Sequence, residues 1–371
     1  MVCKHFGNCG SCSLYALDYA TQLKEKKETV EKCLSPFYNG MLEVFDSPDS
    51  HYRARAEFRI WHEENQCSYA MGNMNRNGAV SIEACLKVIK PIEKRMWRLL
   101  EEINASQEVL KHKLFAVEFL ATTTDECLIT MLYHRKLDEV WQAEAKILED
   151  LLHAKVMGRS RKQKVVISNE FVTEKLNIDG RTYAYVQYEG GFTQPNPWVN
   201  IKMVEWAITQ AKKVGGGDFL EAYCGLGNFT LPLSRYFRKV LATEISKRSI
   251  YAALENCKQN GIDNITFVRL ASEEMTEALS GVREFFRLKE VDLPTYNFST
   301  VLVDPPRAGL DEGTMRLISG LEYIIYISCN PKTLVRDLET LVQTHTVIDA
   351  AMFDQFPHTE HVESGVFLQR K

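Results

Sequence analysis

The stretch DFLEAYCGLGNF (residues 218–229) is a short apolar run that breaks into two closely spaced glycines. A run of this length suits a buried strand, and the glycines suit a tight turn into a helix. The same grammar continues on both sides. Upstream, 198–213 has helical periodicity. Downstream, 239–243 reads as a second strand ending at Glu244, 249–260 as a helix and 265–269 as a third strand. Two further apolar runs, 300–303 and 323–328, end in Asp304-Pro-Pro-Arg307 and Cys329-Asn-Pro331. Strands alternating with helices predict an α/β fold, a doubly wound parallel sheet over 191–371. Ligands of such sheets bind beyond the carboxyl ends of the strands. The glycines, Glu244, Asp304 and Cys329 all stand at such ends.

The chain before about residue 190 follows a different pattern. Residues 16–34 predict a charged amphipathic helix, which with the cysteines ahead of it makes an N-terminal segment over 1–40. Residues 41–190 mix strand-like runs (42–45, 52–62, 67–71, 79–83, 116–122, 126–133, 164–168 and 182–188) with helices at 92–103 and 137–154. That mixture predicts a separate α+β domain with mixed pairing. In SHYRARAEFRIWH (50–62), period-2 alternation puts Arg53, Arg55 and Arg59 on one strand face. From Leu151 to Asn169 there is no acid, but there are Lys155, Arg159, Arg161, Lys162 and Lys164. Arginine rows with aromatic neighbours suit a phosphate backbone and splayed bases. A merely solvated face has the same pattern.

The chain has 371 residues, 45% hydrophobic and 25% charged, with a formal net charge of −4. The length fits two domains, and the charge excludes a surface that is a polyanion trap throughout while leaving room for a local RNA groove. No run of about 18 apolar residues occurs, which excludes a transmembrane helix. The N-terminus, MVCKHFGNCGSC, is not a signal peptide. Ten cysteines without such a signal predict a reducing cytoplasm. No membrane or obligatory protein partner is expected.

The glycine turn is G-x-G-N rather than a dinucleotide fingerprint, and Glu244 follows Gly225 by 19 residues, where an acid can accept both hydroxyls of a ribose. This pairing suits S-adenosylmethionine, which has a ribose but no pyrophosphate; two glycines serving only a turn would look alike. Pro331 forces a turn where the Cys329 thiol emerges, and two prolines fix the turn after Asp304. Near the C-terminus, DQFPHTEHVESGV (354–366) holds His358, Glu360, His361 and Glu363 within six residues. This suits a metal or, equally, a general base, and Glu363 is the carboxylate expected against the core.

The stretches FTQPN (192–196), EAYCGLGNF (221–229), ATEIS (242–246), VDPPRAGL (303–310), ISCNP (327–331) and DQFPHTEHVESGV together resemble the RNA (uracil-5-)-methyltransferase family. SHYRARAEFRIWH, HKLFAVEFL (112–120), MLYHRKLDEVW (131–141) and GVREFFRLKEVDL (281–293) resemble its tRNA-specific branch, and the likeness runs from about residue 42 onward. It implies a C-terminal Rossmann-like class I methyltransferase domain behind an α+β RNA-binding domain. It further implies that the enzyme makes 5-methyluridine at position 54 of the tRNA T-loop, and in tRNA-like tmRNA. Gln194, Tyr223, Asn228, Glu244 and Asp304 would contact S-adenosylmethionine, with Cys329 as nucleophile and Glu363 as base. Expected RNA contacts are Arg53, Arg55, Arg59, Phe115 and His134, with Arg159 to Lys164, above all Arg161 and Lys162, on phosphates. A 23S rRNA uracil methyltransferase is the alternative enzyme. A non-catalytic tRNA binder or folding chaperone is a third reading, which has no use for Cys329 and Glu363.

Cys3, Cys9 and Cys12, together with Cys85, have the shape of a four-thiolate cluster site. Ribosomal-RNA branches of the family carry a similar arrangement around a 4Fe-4S cluster, whereas well-known tRNA-branch members lack it. A structural 4Fe-4S cluster is therefore expected, with zinc or unligated thiols as alternatives.

Overall fold

The computed structural model describes residues 2–371. It opens with helix α1 (Tyr19–Leu34), capped by Asp18, and strand β1 (Glu43–Phe45). Next come strands β2 (Arg55–Glu63), β3 (Gln66–Gly72) and β4 (Ala79–Ile82), helix α2 (Lys90–Ala105), and strands β5 (Leu114–Ala121) and β6 (Cys127–Tyr133). Helix α3 (Glu139–Leu152) and strands β7 (Lys155–Ser160) and β8 (Gln163–Val166) follow. β2 to β8 form a seven-stranded sheet in the order β4-β3-β2-β5-β6-β7-β8. Its pairs are antiparallel except β6 and β7, which α3 connects, as a parallel pair requires a long crossover. On β2, Ala56, Phe58 and Ile60 are buried while Glu57, Arg59 and Trp61 are exposed, so the arginine-bearing face is the solvent face.

A hairpin of β9 (Phe171–Ile178) and β10 (Arg181–Tyr188) leads into the second unit. This contains helix α4 (Pro197–Val214), strand β11 (Asp218–Ala222), helix α5 (Thr230–Leu233), strand β12 (Lys239–Thr243), helix α6 (Lys247–Asn260), strand β13 (Ile265–Val268) and helix α7 (Ser272–Leu279). Strand β14 (Phe298–Val303), helix α8 (Glu312–Ile318), strand β15 (Tyr323–Ser328), helix α9 (Pro331–Leu341) and strands β16 (His345–Phe353) and β17 (Glu363–Arg370) complete it. The eight-stranded sheet has the order β1-β16-β17-β15-β14-β11-β12-β13. Five neighbours, β13, β12, β11, β14 and β15, are parallel, and the strand order reverses between β11 and β14, which is the switch point of a Rossmann-like sheet.

The structure departs from the sequence reading in two informative ways. The sheet is not wholly parallel: β17 lies antiparallel between β15 and β16. Its first residue, Glu363, therefore sits at the edge where the parallel strands end. Parts of the span 41–190 also pack on the second unit. β1 pairs with β16, and the β9–β10 hairpin bridges the two units: Leu176, Ile178, Tyr183 and Tyr185 pack into the core beside α4, while Val172 packs with Leu120, Leu128 and Met157 of the first sheet. α4 and α6 pack on the hairpin, and these side chains are buried. Among the described residues, no helix is long and apolar enough to cross a membrane.

Candidate active site

The parallel strands end in one cleft, which Arg53, Arg55 and the 190–195 segment close from the side of the first sheet. On its cofactor side, Gly225 adopts φ +56°, and a Cβ built there would meet nothing within 4 Å, so the turn leaves open space facing the cleft. Gly227 has a different job: its Cβ would collide with Leu231, so it permits close packing of the turn on the following helix. Glu244 is held by two backbone amides, Gly225 N to Oε2 at 3.1 Å and Ser246 N to Oε1 at 2.8 Å. This fixes the carboxylate while leaving lone pairs for ribose hydroxyls. Tyr223 takes φ +64°, a strained conformation for a non-glycine residue, and donates its hydroxyl to Asp311 at 3.0 Å. Asn228 is bound reciprocally to Asn200 at 2.8 Å and lines an adjoining pocket that shares Gln194, Tyr223, Gly225 and Asp304 with the cleft. The donor set and the open space at Gly225 fit S-adenosylmethionine.

On the reactive side, Asp304 follows β14, Cys329 follows β15 and Glu363 opens β17, and all three line the cleft. Burial pushes the Asp304 carboxyl up to about 7. Glu363, 5% exposed, is raised well above the usual carboxylate range by burial and by the Asp304 charge, against the pull of Arg307. The Cys329 thiol is pushed up to about 11, first by burial, then by Glu363 and Asp304, again opposed by Arg307. These shifts favour the protonated thiol of Cys329, and a cation entering the cleft favours the anionic forms of all three groups. In the sequence, Arg307 stands out only as part of the loop after Asp304. Its place as the charge beside Cys329 and Glu363 needs the fold to be seen. Exposed Phe192, also unassigned from sequence, lines the cleft mouth.

His358, Glu360, His361 and Glu363 do not form a metal centre: among the described residues, no three His, Cys, Asp or Glu side chains are grouped to hold a metal ion. His358 instead points inward to Gln22 and to the Asp49 carbonyl.

The expected RNA contacts divide. Phe115 and His134 stack at 4.1 Å with an interplanar angle of 15°, and His134 shares an open groove with Arg135, Lys136, Arg161 and Lys162. Arg161 and Lys162 are exposed at the β7–β8 turn, and Arg59 is exposed on β2. Arg159 and Lys164 are otherwise engaged. Arg159 pairs with Glu189 at 2.6 Å and Lys164 with Glu170, and Arg248 joins both acids from α6. Without RNA they belong to a charge network between the first sheet, the hairpin and α6. Arg55 is similarly committed, to Glu118 and the Gly191 carbonyl, while Arg53 donates to the Arg55 carbonyl at 2.9 Å. Both hold the cleft wall.

Cys3, Cys9, Cys12 and Cys85 line one small cavity with Lys87. Burial raises the Cys12 thiol to about 11 while Lys87 lowers it, and Lys87 donates to the Ser11 carbonyl at 2.7 Å. The four thiols thus converge without the close grouping of a single-ion site among the described residues.

A family model described as tRNA (Uracil-5-)-methyltransferase matches residues 18–371, leaving the first three of these cysteines outside it. A tRNA/tmRNA (uracil-C(5))-methyltransferase of a Sulfurovum species is 75% identical over 371 residues, covering all of both chains. One of the same name from a Nitratiruptor species is 53% identical over the whole of both chains. The crystal structure of Pyrococcus abyssi tRNA (uracil-54, C5)-methyltransferase with S-adenosyl-L-homocysteine superposes with a TM-score of 0.73 at 22% identity, covering 96% of this chain and 85% of that one. At that identity the likeness speaks for the fold.

Proposed function

Because the chain belongs to the tRNA (uracil-5-)-methyltransferase family, we propose that it methylates carbon 5 of uridine 54 in the T-loop of tRNA, and the equivalent uridine of tmRNA, by covalent catalysis through Cys329. The observation that carries the reading is the meeting of Asp304, Cys329 and Glu363 at one end of the sheet, in the cleft that Gly225 and Glu244 also line. Uracil carbon 5 is a poor nucleophile. Addition of the Cys329 thiolate to carbon 6 makes carbon 5 an enolate carbon able to attack a methyl donor. S-adenosylmethionine, when bound, supplies that methyl as a sulfonium. Gln194, Tyr223, Asn228, Glu244 and Asp304 would hold it, and Asp304 would orient the uracil as well. Glu363 then takes the carbon-5 proton, and elimination releases Cys329. The uracil must leave the T-loop stack to enter the cleft, and the Phe115–His134 pair is a platform on which loop bases can stack.

The experiment is methyl transfer from labelled S-adenosylmethionine to an unmodified tRNA transcript and a 23S rRNA fragment, with nucleoside mass spectrometry of the products. Label at the T-loop uridine alone supports the proposal. Label only on the ribosomal fragment makes the cysteine arm the guide to substrate. No label on either, with both RNA and cofactor bound, brings the binder or folding chaperone forward.

The spacing of the four cysteines, which line a shared cavity, supports a 4Fe-4S cluster on this reading. Cys3, Cys9, Cys12 and Cys85 would hold it, tying the N-terminal arm to the loop after β4. Anaerobic preparations should contain iron and acid-labile sulfide in equal amounts, both lost in Cys9→Ser. A metal-free, colourless anaerobic protein would contradict the assignment. Working with cytoplasmic RNA, the enzyme belongs to the cytoplasm on this reading.

A further inference from the structure

Helix α1 buries polar side chains on one face where an amphipathic helix would bury apolar ones. Tyr19, Gln22 and Lys26 recur at the spacing of one helical stripe, with Gln22 0% and Lys26 4% exposed. All three face the loop between β16 and β17. Lys26 Nζ donates to Asp354 Oδ1 at 2.6 Å and to the Phe356 carbonyl at 3.0 Å. Gln22 Oε1 accepts from the His358 amide at 2.8 Å, and its Nε2 lies 3.0 Å from His358 Nδ1. The His358 amide can only donate, so it fixes which end of the Gln22 carboxamide is oxygen. Nδ1 must then accept, and Nε2 carries the proton donated to the Asp49 carbonyl at 2.8 Å. Tyr19 accepts from Ser47 N at 2.8 Å, and the charge of Asp354 helps burial raise its hydroxyl. Tyr52 donates to the Pro357 carbonyl at 2.8 Å.

We propose that Gln22 and Lys26, assisted by Tyr19, are positioning residues for the proposed reaction: they clamp Asp354–His358 so that the following residues deliver Glu363 to the carbon-5 proton. This rests on the reading of Glu363 as the base. The contacts are of the kind that specify geometry rather than merely attach. They read backbone N–H and C=O groups around His358, whose φ of +64° is uncommon for a non-glycine residue. A buried ammonium–carboxylate pair is a poor way simply to anchor a helix, since apolar replacement of both partners is often neutral or stabilising. That same fact supplies a test that survives folding. Glu363 lies five residues beyond His358, and a misplacement of about 1 Å in a reacting group can slow a step about 100-fold.

The variants are Lys26→Met with Asp354→Leu, and separately Gln22→Met, assayed on a full-length tRNA transcript carrying uridine or 5-deuterouridine. If the clamp positions the base, kcat falls about 10-fold to 100-fold while KM for tRNA stays within about twofold. The covalent Cys329–RNA adduct accumulates, the carbon-5 deuterium isotope effect rises, and amides of 354–363 exchange faster with solvent. Adduct formation shows in the same tube that the variant is folded. Unchanged exchange over 354–363, or wild-type kcat without adduct, would overturn the clamp. Exchange decides this even if the wild-type protein makes no 5-methyluridine, a result that would instead remove the proposed reaction.

Discussion

At the residue scale the account turns on three acids in one small space. Cys329 is pushed up by burial and then by Glu363 and Asp304, so removing a carboxylate charge lowers it. Glu363→Gln should therefore shift the pH dependence of Cys329 alkylation by iodoacetamide to lower pH, although the same variant cannot complete turnover. An unmoved or higher profile would mean that the two groups do not face each other. Cys329 and Asp304 are legible in the sequence because each ends an apolar strand where ligands of such sheets bind, a rule that needs only local pattern. Arg307 and the committed state of Arg55 are not, because their partners are distant in sequence: Arg55 is 63 residues from Glu118 and 136 from the Gly191 carbonyl. Period-2 alternation finds the face of a strand but not what already occupies its charges.

At the element scale the two glycines of the turn after β11 make separable predictions. Gly225→Ala would send a methyl group into open cleft from a left-handed backbone, so cofactor affinity should fall more than stability, as calorimetric titration with S-adenosylhomocysteine and a melting curve would show. Gly227→Ala meets Leu231 in the packed turn and should cost about 1–3 kcal/mol of stability. Equal effects of the two changes on Tm would contradict the division. The parallel strands are readable as apolar runs, and α4, β12 and β15 fall where periodicity puts them. β16 escapes that reading, because HTVIDAAMF carries a polar start and an aspartate in an otherwise apolar run. The polar stripe of α1 likewise has the pattern of solvated surface, since nothing near Lys26 in sequence announces Asp354, 328 residues away.

At the scale of the whole molecule, the proposed function assigns RNA binding to the first sheet and chemistry to the second, with the Arg159, Lys164 and Arg248 network to Glu170 and Glu189 between them. Replacing Arg161 and Lys162 by alanine should weaken binding to all RNAs alike and flatten its salt dependence; filter binding at several salt concentrations would show neither change if the turn is only a solvated loop. His345 and His358 are buried and lowered from 6.5 by burial. The unfolded chain thus binds more protons near that pH. Their contribution to stability is present above 6.5 and is lost as pH falls through it toward the depressed folded values. Denaturant midpoints should decline over that interval, and a midpoint that rises instead would contradict the neutral assignment. The central claim is that one cysteine attacks one uridine. Its most direct test is mass spectrometry of the covalent complex formed by Glu363→Gln with tRNA and S-adenosylmethionine, digested to a peptide–nucleotide conjugate. The account predicts a methylated T-loop uridine 54 joined to the peptide containing Cys329; a conjugate on another residue or another nucleotide, or none from a variant that binds both ligands, would contradict it.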